Sequence, residues 1–248
     1  MSYTELFSRC YDELTFNVGY GEMCAFIQKQ LSLYPQTNNI ILDAGCGTGS
    51  LCLLLSNCGY EMIGADASID MLMQARQTCV QASTPVLFLN QSMEQLDLYG
   101  TIGAAVCTLD TINHIINIDE LQRSINKISL FTEPGGLFIF DVNTRYKHEQ
   151  ILGNQSFIYD MDGVYCGWQN EYNPEEHKTD IYLSFFEEQE GLYSREDEQF
   201  SERWYSDAEL TQVLAAAKYK VLARYGGYDC SQICDTTQRV VYVAQKGE

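Results

Sequence analysis

The stretch ILDAGCGTGS, residues 41–50, decides the fold. A short run of branched apolar residues ends in an acid, Asp43, and is followed by glycine at positions 45, 47 and 49. The apolar run reads as a buried strand, Ile40 to Asp43, and the glycines as a bare turn into a helix, Leu51 to Cys58, stopped by Gly59. In a parallel sheet, ligands bind beyond the carboxyl ends of the strands. The first strand-to-helix turn there needs glycine wherever backbone must approach the ligand closely.

Outward from this turn, strand and helix take turns. Met62 to Ala65 reads as a strand, Ser68 to Gln81 as a helix with Ser68 as N-cap, and Val86 to Leu89 as the third strand. Ala104 to Leu109 is the fourth, Glu120 to Phe131 a helix, and Leu137 to Val142 the fifth strand, introduced by the turn Pro134-Gly135-Gly136. On the N-terminal side, Glu5 to Leu33 is mostly helical, broken at Asn17-Val18-Gly19 and closed by Pro35 and Asn38-Asn39. Such alternation implies right-handed crossovers and a parallel sheet covered on both faces.

After Asp141 the rhythm changes. Phe157 to Tyr159, Val164 to Tyr172, Thr179 to Phe186 and Leu192 to Phe200 alternate polar with apolar or aromatic residues between Asp-Gly, Asn-Pro and Glu-Gly turns, as antiparallel strands do. The α/β pattern resumes with a helix at Asp207 to Ala217 and strands at Lys220 to Tyr225 and Val240 to Gln245, the last two forming a hairpin on one sheet edge. The expected fold is α/β: a doubly wound, mostly parallel seven-stranded sheet, residues 1–142 and 202–248, carrying a small antiparallel β insertion over 143–201.

Composition narrows the function. The 248 residues include 15 Lys and Arg against 34 Asp and Glu, a net charge of −19. That charge opposes nucleic-acid phosphates and anionic membranes, and no local basic patch offsets it. The N-terminal MSYTELFSRC lacks a basic region followed by an apolar stretch, and no apolar run approaches the ~18 residues of a membrane span, so a cytoplasmic protein is expected. The 10 cysteines lie mostly inside apolar runs, as reduced core thiols do. No C-x-x-C pair occurs, and Cys230 and Cys234 have no His at ligand spacing, so no metal is expected.

The glycine pattern discriminates between ligands. A nicotinamide fingerprint, G-x-G-x-x-G, requires Gly or Ala at position 50, which is Ser50, and rarely carries an acid such as Asp43 two residues before its first glycine. A second acid, Asp66, ends the second strand, where a carboxylate can accept both hydroxyls of a ribose. Asp43 would repel a pyrophosphate and suits an ammonium or sulfonium. A ligand with adenosine and a positive charge fits best.

Asp43-Ala44-Gly45-Cys46-Gly47-Thr48-Gly49, followed by Gly64-Ala65-Asp66-Ala67-Ser68, resembles the first two motifs of class I S-adenosylmethionine-dependent methyltransferases, and the resemblance spans about Tyr11 to Leu137 in order. It implies a Rossmann-like methyltransferase domain that binds S-adenosyl-L-methionine. By that resemblance Asp43 and the turn Gly45, Cys46, Gly47 and Gly49 pass over the methionine part, Asp66 and Ala67 hold the ribose, and Met71 with Leu72 packs against adenine. The family usually places an acid after strand three on the adenine amine. This chain reads Asn90-Gln91-Ser92-Met93, so the contact passes to the Ser92 hydroxyl or the Met93 backbone. Tyr11 and Leu109 complete the implied cofactor-binding set. The segment Cys107-Thr108-Leu109-Asp110-Thr111-Ile112-Asn113-His114, with Tyr11-Asp12-Glu13-Leu14 and the late insertion, resembles a narrower group of small bacterial methyltransferases in which the inserted sheet covers the active site.

The expected activity is methyl transfer to a small-molecule acceptor; the alternative is a catalytically silent S-adenosylmethionine-binding protein that uses the inserted sheet for partner recognition. If a proton must leave the acceptor, Tyr11, Asp110 and His114 are the catalytic candidates. Each has a plainer reading: Tyr11 as a core aromatic, Asp110 as a helix cap, His114 as a structural residue. Tyr159, Tyr165, Trp168, Tyr172, Tyr182, Trp204 and Tyr205 either form a cage for a cationic acceptor or simply pack. Arg145 either binds an acceptor anion or makes a surface ion pair.

Overall fold

The computed structural model describes residues 3–248. Two helices lead, α1 (Glu5–Leu14) and α2 (Tyr20–Leu33), separated by the Asn17 to Gly19 break. Then come β1 (Ile40–Ala44), α3 (Ser50–Asn57), β2 (Glu61–Asp66), α4 (Ile69–Gln81), β3 (Leu87–Asn90), β4 (Ile102–Cys107), α5 (Ile118–Phe131) and β5 (Thr132–Asn143). An antiparallel meander follows, β6 (Ser156–Met161), β7 (Val164–Asn173), β8 (Lys178–Gln189) and β9 (Leu192–Arg203), before α6 (Asp207–Ala216), β10 (Tyr219–Tyr225) and β11 (Arg239–Lys246).

The larger sheet has seven strands in the order β10-β11-β5-β4-β1-β2-β3, and only β11 runs against its neighbours. This is the expected Rossmann-like, mostly parallel arrangement. Every residue of β4 is buried, as expected of a central strand with helices on both faces. One face packs Leu121, Ile125 and Ile128 of α5 and Leu210 and Leu214 of α6 against Phe138 and Phe140; the other packs Phe26 and Ile27 of α2 and Leu51 and Leu55 of α3 against Ile41 and Ile139. The order reverses between β1 and β4, and a crevice opens there beyond the strand ends.

The second sheet has the order β6-β7-β8-β9. Its period-two alternation buries Ile181, Leu183 and Phe185 of β8 on one face, with Cys166 of β7 and Phe200 of β9. That face meets Leu6, Phe7, Cys10 and Leu14 of α1 and Met71 of α4. Helix α1 therefore lies between the inserted sheet and the crevice. Polar ties fix it on both sides: the Thr4 amide donates to Glu198 Oε2 (2.8 Å), Arg9 pairs with Glu187 (2.5 Å), and Thr48 Oγ1 of the glycine turn donates to Asp12 Oδ1 (2.7 Å).

Several boundaries differ from the sequence reading. β4 stops at Cys107 instead of Leu109, because Leu109 and Asp110 both take left-handed φ values of 55° and 58°. β5 starts at Thr132, since Pro134-Gly135-Gly136 is absorbed as an irregularity where β5 pairs with β4. α5 starts at Ile118, with the Asn117 side chain accepting from the Asp119 and Glu120 amides, so Glu120 lies inside the helix. A π-helical turn, Lys147–Leu152, links the two sheets and has no sequence signature. Among the described residues no helix is long and apolar enough to cross a membrane, and no group of three His, Cys, Asp or Glu side chains is placed to hold a metal.

Candidate active site

A cavity of about 270 Å³ occupies the crevice. Its floor is the glycine turn and the end of β2, its walls the segments after β3 and β4, and its roof α1 and the inserted sheet. Of the residues read from sequence, Tyr11, Gly45, Gly47, Asp66, Ala67, Met71, Ser92, Met93, Leu109, Asp110 and His114 all line it. Asp43 and Cys46 line a small adjoining pocket with Tyr11, Tyr20, Gly45, Gly47 and Leu109. Gly49 lines neither.

The three glycines are bare for two different reasons. All take positive φ, at 80°, 51° and 77° for Gly45, Gly47 and Gly49. A Cβ on Gly45 would stand 2.3 Å from Thr111 Cγ2, and one on Gly49 would stand 2.9 Å from the Ala75 Cβ of α4. Those two serve packing against neighbouring protein. A Cβ on Gly47 would meet nothing within 4 Å, so Gly47 is the position where backbone faces the open cavity. Gly47→Ala should fold with a cost of about 1 kcal/mol for its left-handed backbone and lose donor affinity by calorimetry. Gly45→Ala should lose about 1–3 kcal/mol of stability to overpacking, measured by urea unfolding.

Asp66 does two jobs in the structure. Its Oδ2 accepts the Gly47 amide at 2.9 Å and its Oδ1 the Ser68 amide at 2.8 Å, which ties the turn after β1 to the turn after β2. Each oxygen has a second lone pair, and Asp66 lines the cavity, so the carboxylate has the capacity to accept from two vicinal hydroxyls. Burial pushes its carboxyl above the usual range, against the pull of those two amides. Ser68 meanwhile caps α4 by accepting the Met71 amide, and Met71 is buried beneath the cavity.

Asp43 is buried at the end of β1. Its Oδ2 accepts from the Cys52 thiol at 3.3 Å, while Oδ1 has no partner. Burial raises its carboxyl to about 7. A buried carboxylate oxygen beside the cavity floor with nothing to accept fits the ammonium of a methionine group.

The turn after β4 is built on Asp141, a fully buried acid in β5. Its Oδ2 accepts the Leu109 amide (2.8 Å) and its Oδ1 the Asp110 amide (2.9 Å), holding two consecutive left-handed residues, while Arg239 and Tyr228 also bond it. Asp110 Oδ2 in turn accepts from Asn143 at 2.6 Å and lies 3.4 Å from Arg239. Burial works to raise the Asp110 carboxyl, but the charges of Arg239 and Lys147 win and hold it below the usual carboxylate range. Burial pushes the Tyr11 hydroxyl well above 10. His114 has its Nδ1 buried without a hydrogen-bond partner among the described residues, and its ring packs 5.2 Å from Phe200.

Sequence reasoning missed Glu202. It lies on β9, is only 5% exposed, and lines the cavity. Its Oε2 accepts from Asn143 at 3.1 Å. Phe200 two positions earlier faces the same cavity, so the strand period carried the signal. Tyr3, Phe7 and Leu183 were also missed as cavity walls.

The aromatic cage is not assembled. Only Trp168 of the seven aromatics lines the cavity. Trp204 stacks on His177 and bonds Tyr172, Tyr205 lies in the main core, and Tyr165 faces outward. Arg145 pairs with Glu149 at 2.7 Å on the surface and is absent from the cavity.

Known proteins match this arrangement. Residues 41–136 match the family model described as a methyltransferase domain. A candidate methyltransferase of Geobacillus sp. (strain WCH70) is 28% identical, covering 98% of this chain and 99% of its own. The crystal structure of an S-adenosylmethionine-dependent methyltransferase from Clostridium acetobutylicum ATCC 824 superposes with a TM-score of 0.89 at 28% identity over 98% of both chains. The fold also matches that of S-adenosylmethionine-bound CalS10, an amino pentose methyltransferase from Micromonospora echinaspora, with a TM-score of 0.75 and 17% identity over 99% of this chain and 98% of that one. The glycine turn and the acid ending β2 mark a nucleoside-binding α/β enzyme. The chain is an S-adenosylmethionine-dependent methyltransferase, of the group whose antiparallel sheet is inserted after the fifth strand.

Proposed function

We propose that the protein transfers a methyl group to a small-molecule acceptor held in this cavity, with residues 143–201 as a subdomain that covers the reaction. The supporting observation is the shape of the site: α1 and the inserted sheet roof the space above the glycine turn, leaving room for a metabolite and little for a folded polymer. CalS10, an amino pentose methyltransferase, shares this fold.

In this reading Asp66 holds the donor ribose, Gly47 and Asp43 the methionine portion, and Met71, Ser92 and Met93 the adenosine side. The donor, when bound, supplies an electrophilic methyl on a sulfonium. The chain then has to align the acceptor, exclude water and receive a proton. Alignment alone is worth ~7 to 11 kcal/mol of barrier. Of the three catalytic candidates, Tyr11 keeps its proton and serves as a hydrogen-bond donor. Asp110 is a carboxylate whose Oδ2 is held by Asn143 and Arg239 and that orients its neighbours. His114, whose ring lines the cavity, is in this reading the proton acceptor.

Incubation of the pure protein with methyl-labelled donor and a size-fractionated cell extract tests the acceptor class. Label is expected in the small-metabolite fraction; label confined to RNA or protein overturns the reading.

Asp43 adds a proton-linked test. Near pH 6 the donor-free protein holds Asp43 largely protonated, since its carboxyl sits at about 7. A bound ammonium favours the carboxylate, so S-adenosylhomocysteine should release a fraction of a proton on binding and bind more tightly as pH rises from ~4 to ~7. Calorimetry in two buffers of different ionisation enthalpy reads this directly. Proton-neutral binding at pH 6 would separate Asp43 from the donor.

A further inference from the structure

The cavity wall has a consistent charge. Among the described residues five carboxylates line it, Asp66, Glu94, Asp110, Glu120 and Glu202, and no Lys or Arg does. Most of these already have an occupation. Asp66 serves the two glycine-turn amides, Asp110 lies over Arg239, and Glu94 pairs with Arg123. Glu202 differs, being the one deep in the wall with no cation paired to it.

Glu202 Oε2 takes the Asn143 amide, and Oε1 has no hydrogen-bond partner among the described residues. The nearest basic side chain in an ion-pair distance is His148, at 3.8 Å, and burial pushes that imidazole down to about 4, so it is neutral and supplies no charge. Lys147 donates to Asn143 Oδ1 at 3.0 Å and makes no direct ion pair with Glu202, although its charge acts on that carboxyl from behind the wall. Behind Glu202 lie the polar Asn143 and His148, while Phe200, two positions earlier on the same strand, and the Phe7, Trp168 and Leu183 that pack with it give the cavity an apolar and aromatic wall. His114, with its Nδ1 unpartnered among the described residues, packs against Phe200. Glu202 is 95% buried with one oxygen unpartnered on the cavity wall, and burial together with Asp110 pushes its carboxyl above the usual range, so a cation supplied by a ligand would relieve the cost of its charge.

We propose that the methyl acceptor is a primary or secondary amine carried on an apolar body, with its nitrogen seated on Glu202 beside His114 and its body against Trp168 and Phe200. This rests on the methyltransferase reading of the site above. The amine enters as an ammonium, paired with the Glu202 carboxylate. It yields one proton to Glu202 or His114 and becomes a neutral amine with a free lone pair. That pair forms the new N–C bond as the C–S bond breaks and its electrons stay on sulfur, giving a neutral thioether and an N-methylammonium. Positive charge thus passes from sulfur to nitrogen, and the extra proton returns to solvent. Anionic acceptors are disfavoured, because among the described residues the wall carries carboxylates and no Lys or Arg.

The test uses three probes of one shape and different charge: phenethylamine, 2-phenylethanol and 3-phenylpropionate. Each is titrated into the full-length protein saturated with S-adenosylhomocysteine, and binding is read by calorimetry. The amine is expected to bind about tenfold more tightly than the alcohol or better, and the acid more weakly than both. Glu202→Gln should bring the amine to within roughly twofold of the alcohol while S-adenosylhomocysteine affinity holds. Amine binding no tighter than the alcohol, complete absence of amine binding included, overturns the proposal, as does a preference that survives Glu202→Gln. The wild-type ranking stands whether or not the variant folds. Failure of S-adenosylhomocysteine itself to bind would instead strike the donor reading, so the two failures are distinguishable.

Discussion

Replacing Asp66 with alanine is expected to weaken S-adenosylhomocysteine binding by about 3 kcal/mol, on the order of a hundredfold, because two charge-assisted hydrogen bonds to ribose hydroxyls are each worth ~1.5 kcal/mol or more. The geometry adds a second loss. The same carboxylate holds the Gly47 and Ser68 amides, so its removal frees the turn that faces the ligand. Asp66→Asn separates the two effects: one amide oxygen still accepts from backbone, while the NH₂ end can no longer accept. Its affinity should fall between wild type and alanine. The measurement is the calorimetric dissociation constant of each variant, with melting temperature recorded alongside. A loss smaller than about fivefold in Asp66→Ala would remove this carboxylate from the donor site.

The glycine turn and Asp66 were legible because they are local. Each sits where an apolar run ends, and the chain order alone places the ends of β1 and β2 side by side, with Asp43 opposite Gly64. What the sequence did not distinguish was why each glycine is bare. Gly45 answers to Thr111 and Gly49 to Ala75, contacts made by segments far along the chain. Glu202 was hidden for a related reason. The acidic run before it, Glu187 to Glu198, reads as a solvated face and turn, and only the pairing of Thr179 with Glu202 in the β8–β9 ladder, next to the buried Ile181 and Phe200 pair, turns that position inward. The aromatics misled in the opposite direction. Alternate aromatics in strands suggested a cage, yet a strand has two faces and the tertiary contact with α1 selects one. Trp168 falls on the cavity side and Tyr165 outside.

The buried polar cluster below the β4 turn was the least legible feature and carries the largest stability prediction. Arg239, at the start of β11, donates to Asp141 at 2.5 Å and lies 3.4 Å from Asp110. Arg239→Leu leaves both carboxylates without that cation, and at pH 7 should cost about 3–5 kcal/mol, the range for removing one partner of a buried pair. For a chain of this size that is a melting-temperature fall of roughly 10 °C. The pH dependence follows from the sign of the Asp110 shift. In the wild type Arg239 and Lys147 hold that carboxyl below its usual range, so its contribution is present above the unfolded value and is lost only as pH falls through the lower folded one. Without Arg239, burial prevails and the folded value rises above the unfolded one, so the variant regains stability as pH falls from 7 toward ~4. The deficit against wild type, measured by urea unfolding, should therefore shrink between pH 7 and pH 5. A deficit that stays constant or grows would show that Arg239 acts by packing and not as the countercharge. Because Asp141 also holds the Leu109 and Asp110 amides, the same variant should loosen the cavity wall and lower donor affinity, coupling the stability of the β4 turn to the site it shapes.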